Sequence, residues 1–302
     1  MKVLIVGLGS IAKKHIKAIR QCFESCEIYA IRSGLSSHFI EDVVNIYSLD
    51  EVPSDLDFSI VSNPTSSHFD SILELSKLNK PIFIEKPVLN TLDGHEELLK
   101  RLKERQIKTY VGCNLRFHPI IAWLKKELAN KRPIEMNIYC GSYLPDWHPD
   151  QDYRKLYSAD SNMGGGVHLD LIHELDYTVY LMGLPKASSK YTSKKSTLEI
   201  ESEDIAHYIL DYSNTTVFIT LNYYRTQPKR QIECVWESGV WIADLLGGNI
   251  INDKGEVIFE TDFNVSDTYQ KQLLYFWNQI LENNDPMNSF DEAIDVLKLC
   301  LN

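Results

Sequence analysis

The sequence predicts an α/β chain of two domains: a doubly wound parallel sheet, then an α+β domain with a large, mostly antiparallel sheet. Three observations predict it. Near-continuous apolar runs alternate with helical patterns through the first third of the chain, and such strands belong to a sheet covered on both faces. Later segments alternate apolar with polar residues, the period-two pattern of half-buried strands. The length of 302 residues suits two domains of roughly 100–200 residues each.

Taken in order, Lys2–Val6 reads as a strand cut off by Gly7, and Ile11–Cys22 as a helix with Ile11, Ile16, Ala18 and Ile19 on one side and Lys13, Lys14 and Lys17 outside. Glu27–Ile31 is a second strand, and Phe58–Val61 a third that ends in the breaker Asn63-Pro64. Ser67–Leu78 reads as a helix, Pro81–Ile84 as a strand, Thr91–Arg105 as an amphipathic helix and Thr109–Val111 as the closing strand. This domain is set at 1–116. In the second domain, 117–302, residues 134–140 alternate Ile134, Met136, Ile138 and Cys140 with polar partners, and strands follow at 204–212, 215–224, 230–236 and 239–246. Helices are expected at 166–182, 267–282 and 290–301, the last free to pack back on the first domain. A ligand crevice is expected between the domains.

Hydrophobic residues make up 44% and charged residues 24%, which excludes a disordered or fibrous chain. The net charge of −11 argues against nucleic acid or an anionic membrane as partner, since both call for a basic face. No apolar run reaches the roughly 18 residues of a membrane helix, and the opening residues lack the features of a signal peptide, so a cytoplasmic protein is expected. The six cysteines form no CxxC pair and read as free thiols without a metal site.

Gly7-Leu8-Gly9-Ser10-Ile11-Ala12 fits GxGxxA between the first strand and the first helix. Gly7 permits a tight turn, Gly9 lets the main chain approach a diphosphate, and Ala12 lets helix and strand pack closely. The second strand ends Ile31-Arg32-Ser33 with no carboxylate before Glu41. NAD-specific sites usually place an acidic group there for the ribose 2′-OH, so NADP is favoured over NAD, with Arg32 and Ser33 facing the 2′-phosphate.

Four motifs then fall in order: Gly7-x-Gly9-x-x-Ala12-x-x-His15, Asn63-Pro64-Thr65-x-x-His68, Glu85-Lys86-Pro87, and Gly164-Gly165-Gly166-x-x-x-Asp170-x-x-His173-x-x-Asp176. Together they resemble the glucose–fructose oxidoreductase/inositol dehydrogenase/rhizopine-catabolism family over essentially the whole chain. The resemblance implies a Rossmann domain, an open sheet used for homo-oligomer formation, and hydride exchange with a sugar or polyol. Segments 112–119 and 146–154 look like members acting on activated or nonulosonic sugars for surface glycans. Cofactor contacts are expected from Gly7, Gly9, Ser10, Ile11, Arg32, Ser33, Asn63, Pro64, Thr65, His68, Glu85 and Lys86. His15 and His68 also read as packing or capping residues.

Oxidising an alcohol needs a cation beside the developing alkoxide and a base for its proton. Lys86, after an apolar strand, suits the cation; His173 suits the base. Asp170 and Asp176, three residues to either side on one expected helix, share its face and could hold the imidazole. The family usually spaces that first aspartate and the histidine four apart, whereas here they are three apart. The bet is that lysine and imidazole converge on one sugar oxygen. His168 reads as a neighbour on the same turn or as surface. The glycine triplet reads as a loop fitted against nicotinamide or sugar. Substrate contacts are expected from Lys86, Arg116, Trp147, Tyr153, Arg154, His173 and Arg225, aromatic faces for the sugar ring and guanidinium groups for a carboxylate or phosphate. A dinucleotide-binding regulator of the same fold is the competing reading; the presence of both Lys86 and His173 favours chemistry.

Overall fold

A computed structural model describes residues 1–32 and 39–302. In chain order the elements are β1 (Lys2–Val6), α1 (Ser10–Cys22), β2 (Glu27–Ile31), β3 (Val43–Ile46), β4 (Phe58–Val61), α2 (His68–Leu75), β5 (Ile82–Glu85), α3 (His95–Glu104) and β6 (Thr109–Gly112). There follow α4 (Pro119–Glu127), β7 (Glu135–Tyr143), α5 (Val167–Asp170), α6 (His173–Met182), β8 (Ala187–Ser193), β9 (Ile205–Asp211) and β10 (Thr216–Asn222). The chain continues through β11 (Tyr224–Trp236), β12 (Gly239–Asp244), β13 (Asn249–Asn252), β14 (Val257–Glu260), α7 (Asp267–Leu281) and α8 (Phe290–Leu301).

The described residues form two compact units, Met1–Asn114 with Val265–Leu297, and Leu115–Asn264 with Lys298–Asn302. Chain order placed α7 in the second domain; the structure packs it into the first unit, because its apolar face supplies a cover that the first sheet lacks. In that unit six parallel strands run in the order β3-β2-β1-β4-β5-β6. Strand residues such as Val3, Leu4, Ile5, Ile60, Phe83 and Ile84 are wholly buried, as a two-sided cover demands. Phe276 of α7 meets Phe58, Phe83 and Tyr110 at ring distances of 5.4, 5.7 and 5.8 Å. The free edge of β6 is closed by the segment before α8: Val111 N–H donates to the Asn288 carbonyl, and the Asn288 amide returns a bond to the Val111 carbonyl, both 2.8 Å.

In the second unit the order is β14-β13-β12-β11-β7-β10-β9-β8. All neighbours are antiparallel except β7 and β10, which run parallel at the centre. That pair needs a long crossover, and the connection from 144 to 215 carries α5, α6, β8 and β9. One sheet face is buried through Met136, Ile138, Val217, Ile219, Tyr208 and Leu210, with α5 lying on β9 and β10. The other keeps Ile209 and Phe218 exposed. No helix among the described residues is long and apolar enough to cross a membrane.

Candidate active site

The β1–α1 turn has the shape its glycines call for. Gly7 lies at φ +89°, and a β-carbon there would stand 2.6 Å from the Asn63 backbone. Nothing described lies within 4 Å of a Gly9 β-carbon, so a ligand can come up to the main chain there. Helix α1 starts at Ser10 with no acidic residue in its first turn, and Ala12 is fully buried. Free N–H groups and the positive end of the helix dipole suit an anion. These residues fit the diphosphate of a dinucleotide.

The turn after β4 is tied to this loop. Ser62 N–H donates to the Val6 carbonyl at 2.9 Å, and its hydroxyl to the Gly7 carbonyl at 3.0 Å. Asn63 donates its side-chain amide to the Ser71 hydroxyl at 2.8 Å, and Pro64 and buried Thr65 open a short 3-10 turn. His68, 1% exposed, sets one ring nitrogen 3.1 Å from the Asn63 carbonyl and the other 3.2 Å from that of Val88. It thus joins the loop to the segment that follows Lys86. Arg32 is half-buried, with Nη1 3.4 Å from the Asn45 side-chain oxygen on β3. Ser33 lies outside the described residues.

Burial pushes the His68 pKa below its ordinary 6.5, although the two carbonyls oppose the shift. The unfolded chain therefore binds the proton more readily than the folded one. The stabilisation is fully present above pH 6.5 and is lost as the pH falls below it, with a slope of up to about 1.4 kcal/mol per pH unit. Urea midpoints recorded between pH 7.5 and 5 should fall less steeply in His68→Gln than in the wild type.

At the carboxyl end of β5, Glu85 is buried and Lys86 half-buried. One Glu85 oxygen lies 2.5 Å from His15 Nε2, and the other accepts the Lys86 N–H at 3.3 Å. The imidazole of His15 is fully buried and meets the rings of Phe83 and Tyr269 edge-on at 5.0 and 6.0 Å. The Lys86–Pro87 peptide is cis.

In the second unit the helix expected over 166–182 is broken. Helix α5 ends at Asp170, Leu171 leaves helical geometry at ψ 28°, and α6 begins at His173. Asp170 and His173 therefore do not lie on one unbroken helix as expected, because Leu171 and Ile172 form a turn between the two helices. The acidic residues around half-buried His173 each take an inward partner. Asp170 accepts from the Tyr223 hydroxyl at 2.5 Å. Glu174 accepts from Arg230 at 2.6 and 3.2 Å, and Asp176 from Arg116 at 2.9 and 2.7 Å. Arg116 and Asp176, expected to serve substrate and catalysis, are thus a buried bidentate pair, with Arg116 also 5.0 Å from the Tyr180 ring.

Trp147 donates to the Ser142 hydroxyl at 2.8 Å and meets Tyr223 edge-on at 5.3 Å. Arg154 is exposed and bridges Asp152 and Glu199 at 2.8 and 2.9 Å, while the Tyr153 hydroxyl accepts the Glu199 N–H at 3.3 Å. Arg225 donates to the Gln227 carbonyl at 2.7 Å and lies 5.2 Å from the Tyr139 ring. His168 is buried, not surface, 3.9 Å from Glu203; burial lowers its pKa and Glu203 opposes this. The glycine triplet is itself buried. A β-carbon at Gly165 would stand 2.1 Å from the Tyr157 carbonyl, so the residue is required by its own fold. Sequence reasoning missed Tyr223, Glu174, Arg230 and the His15–Glu85 pair. The one local signal was the presence of Glu174 and Asp176 in an otherwise apolar helix, where charges need buried partners.

A parallel sheet with a diphosphate-fitting turn, followed by an α/β unit, defines a class of two-domain proteins with a dinucleotide-binding fold. The chain belongs to the Gfo/Idh/MocA oxidoreductase family: its "NAD-binding Rossmann fold" model matches residues 1–113 and its "C-terminal alpha/beta domain" model matches 146–299. The chain is 29% identical over 190 residues to the uncharacterized oxidoreductase YrbE of Bacillus subtilis, covering 59% of this chain and 53% of that one. It is 26% identical over 187 residues to inositol 2-dehydrogenase of Rhizobium meliloti, covering 59% and 54%. The chain spans about half the length of these curated relatives. Its fold matches UDP-N-acetylglucosamine 3-dehydrogenase GnnA of Acidithiobacillus ferrooxidans at a TM-score of 0.79, with 17% identity over 100% of this chain and 95% of that one. A myo-inositol dehydrogenase from Corynebacterium glutamicum gives 0.78, with 19% identity over 99% and 94%.

Proposed function

We propose that this chain is an NAD(P)-dependent dehydrogenase or reductase acting on a CH–OH group of a sugar or polyol ring. The observation that carries the reading is the position of Lys86. It stands at the carboxyl end of β5, in the sheet whose β1–α1 turn fits a diphosphate, and ligands of open α/β sheets bind at that edge. A bound nicotinamide would supply the hydride acceptor or donor. The Lys86 ammonium stabilises the substrate oxygen as negative charge develops on it, and the His173 imidazole takes or returns the hydroxyl proton. Asp170, held by Tyr223, stands beside the entry to α6 as a further polar contact.

A ring polyol or sugar is supported by the inositol dehydrogenases among the relatives and by the nucleotide-sugar dehydrogenase among the structural likenesses. The finer reading is a nucleotide-activated or acidic sugar used in surface-glycan synthesis in the cytoplasm, and it rests on the 112–119 and 146–154 segments. NADP is the favoured cofactor, through Arg32. The open sheet face with Ile209 and Phe218 is the surface proposed to join copies of the chain.

The test follows absorbance at 340 nm across inositols, sugars and nucleotide sugars, with both cofactors. Turnover of a ring alcohol is expected; cofactor binding without turnover across the panel would instead make the protein a regulator. Fluorescence titration should show NADPH binding more tightly than NADH, with the difference lost in Arg32→Ala. Equal affinities in the wild type would remove the NADP preference.

A further inference from the structure

Lys86 is joined to the cofactor loop through a route that the proposed chemistry does not itself use. His15 lies on α1, in the second turn after Ser10, where the diphosphate-fitting loop runs into the helix. Its imidazole is fully buried, and Nε2 reaches 2.5 Å to Glu85, a residue 70 positions away in sequence. The side chain of Glu85 is only 8% exposed, and its second oxygen accepts the N–H of Lys86 at 3.3 Å. The surrounding packing is close. Phe83 and Tyr269 wall the imidazole, and a β-carbon on Gly112 would strike Phe83 at 2.7 Å and come within 3.3 Å of Glu85 Oε1. A buried carboxylate satisfied by such a partner is held more rigidly than a solvated one, and the amide that it accepts from is restrained with it.

We propose that His15 is a positioning residue for Lys86: through Glu85 it fixes the main chain from which the lysine projects, and it couples that chain to the helix that carries the cofactor loop. This rests on the dehydrogenase reading of Lys86. Displacing a reacting group by about 1 Å can lower the rate about 10²-fold. His15→Ala should therefore reduce kcat roughly 10- to 100-fold and leave the cofactor Kd within about threefold. His15→Gln, whose amide can donate to Glu85, should restore most of the loss.

The decisive measurement is a double-mutant cycle. In a Lys86→Ala background, His15→Ala should cause no further fall in kcat, because a residue acting through Lys86 has nothing left to position. An equal fall in both backgrounds would overturn the proposal. Hydrogen exchange of the Lys86 amide gives a reading that needs no turnover. His15→Ala and the isosteric Glu85→Gln should each speed it by about tenfold or more while the amides of Val6 and Val61 keep their protection. An unchanged Lys86 amide in both variants would also overturn it. If the wild type turns over no substrate, the dehydrogenase reading fails and the exchange data still decide whether His15 holds Lys86. If His15→Ala does not fold, Glu85→Gln carries the test.

Discussion

Lys86→Ala should lower kcat by about 10²-fold or more and leave dinucleotide affinity nearly unchanged. The asymmetry follows from where the groups stand. On the proposed reading the diphosphate would be held by main-chain N–H groups of the Gly7–Ser10 turn and by the dipole of α1, none of which the substitution touches. In the proposed mechanism the variant loses the cation that meets charge present only as the alcohol becomes an alkoxide, so the loss should fall on the chemical step. Lys86→Arg should recover part of the rate, because the charge returns in a larger, planar group with different reach. Initial rates at 340 nm with a responsive ring alcohol, together with cofactor fluorescence titrations, separate the two quantities. A wild-type kcat in Lys86→Ala would remove the lysine from the mechanism.

The second large effect concerns stability. Asp176→Ala should destabilise the chain by about 3–5 kcal/mol, the usual result of leaving one member of a buried ion pair uncompensated. Arg116 is 7% exposed and loses both of its Asp176 bonds in that variant. Replacing both partners with apolar residues of similar volume, Arg116→Met with Asp176→Leu, should return stability close to that of the wild type. Urea denaturation followed by circular dichroism reads both. A loss below about 1 kcal/mol in Asp176→Ala would mean that the pair behaves like a solvated surface bridge.

Most of the fold was legible because its strands are local apolar runs: β1, β4 and β5 are visible as residue strings before any partner is known. The strands that escaped notice lack that signal. β8, Ala187–Ser193, is an edge strand whose residues are mostly exposed and polar, and β3, β13 and β14 are not buried throughout as the equally short β4 and β5 are. The break between α5 and α6 also left no mark, since Leu171 and Ile172 continue an apolar pattern that an unbroken helix would share. In the candidate site, the glycine turn and Lys86 could be read directly, because spacing and strand ends carry their meaning. Pairing could not. The partner of His15 lies 70 residues away, that of Asp176 60 and that of Glu174 56, and no periodicity encodes contacts at such separations. Arg116 therefore read as a substrate contact and Asp176 as a support for the His173 imidazole, whereas in the fold the two pair with each other.

The helix that covers one side of the first sheet comes from far down the chain. Residues 115–264 are all synthesised between β6 and α7. On the ribosome, Phe58, Phe83 and Tyr110 are made an entire second unit before Phe276, and apolar surface left open over such an interval is prone to aggregate. Expressing residues 1–114 by themselves would make that wait permanent. The compact unit is instead 1–114 together with 265–297.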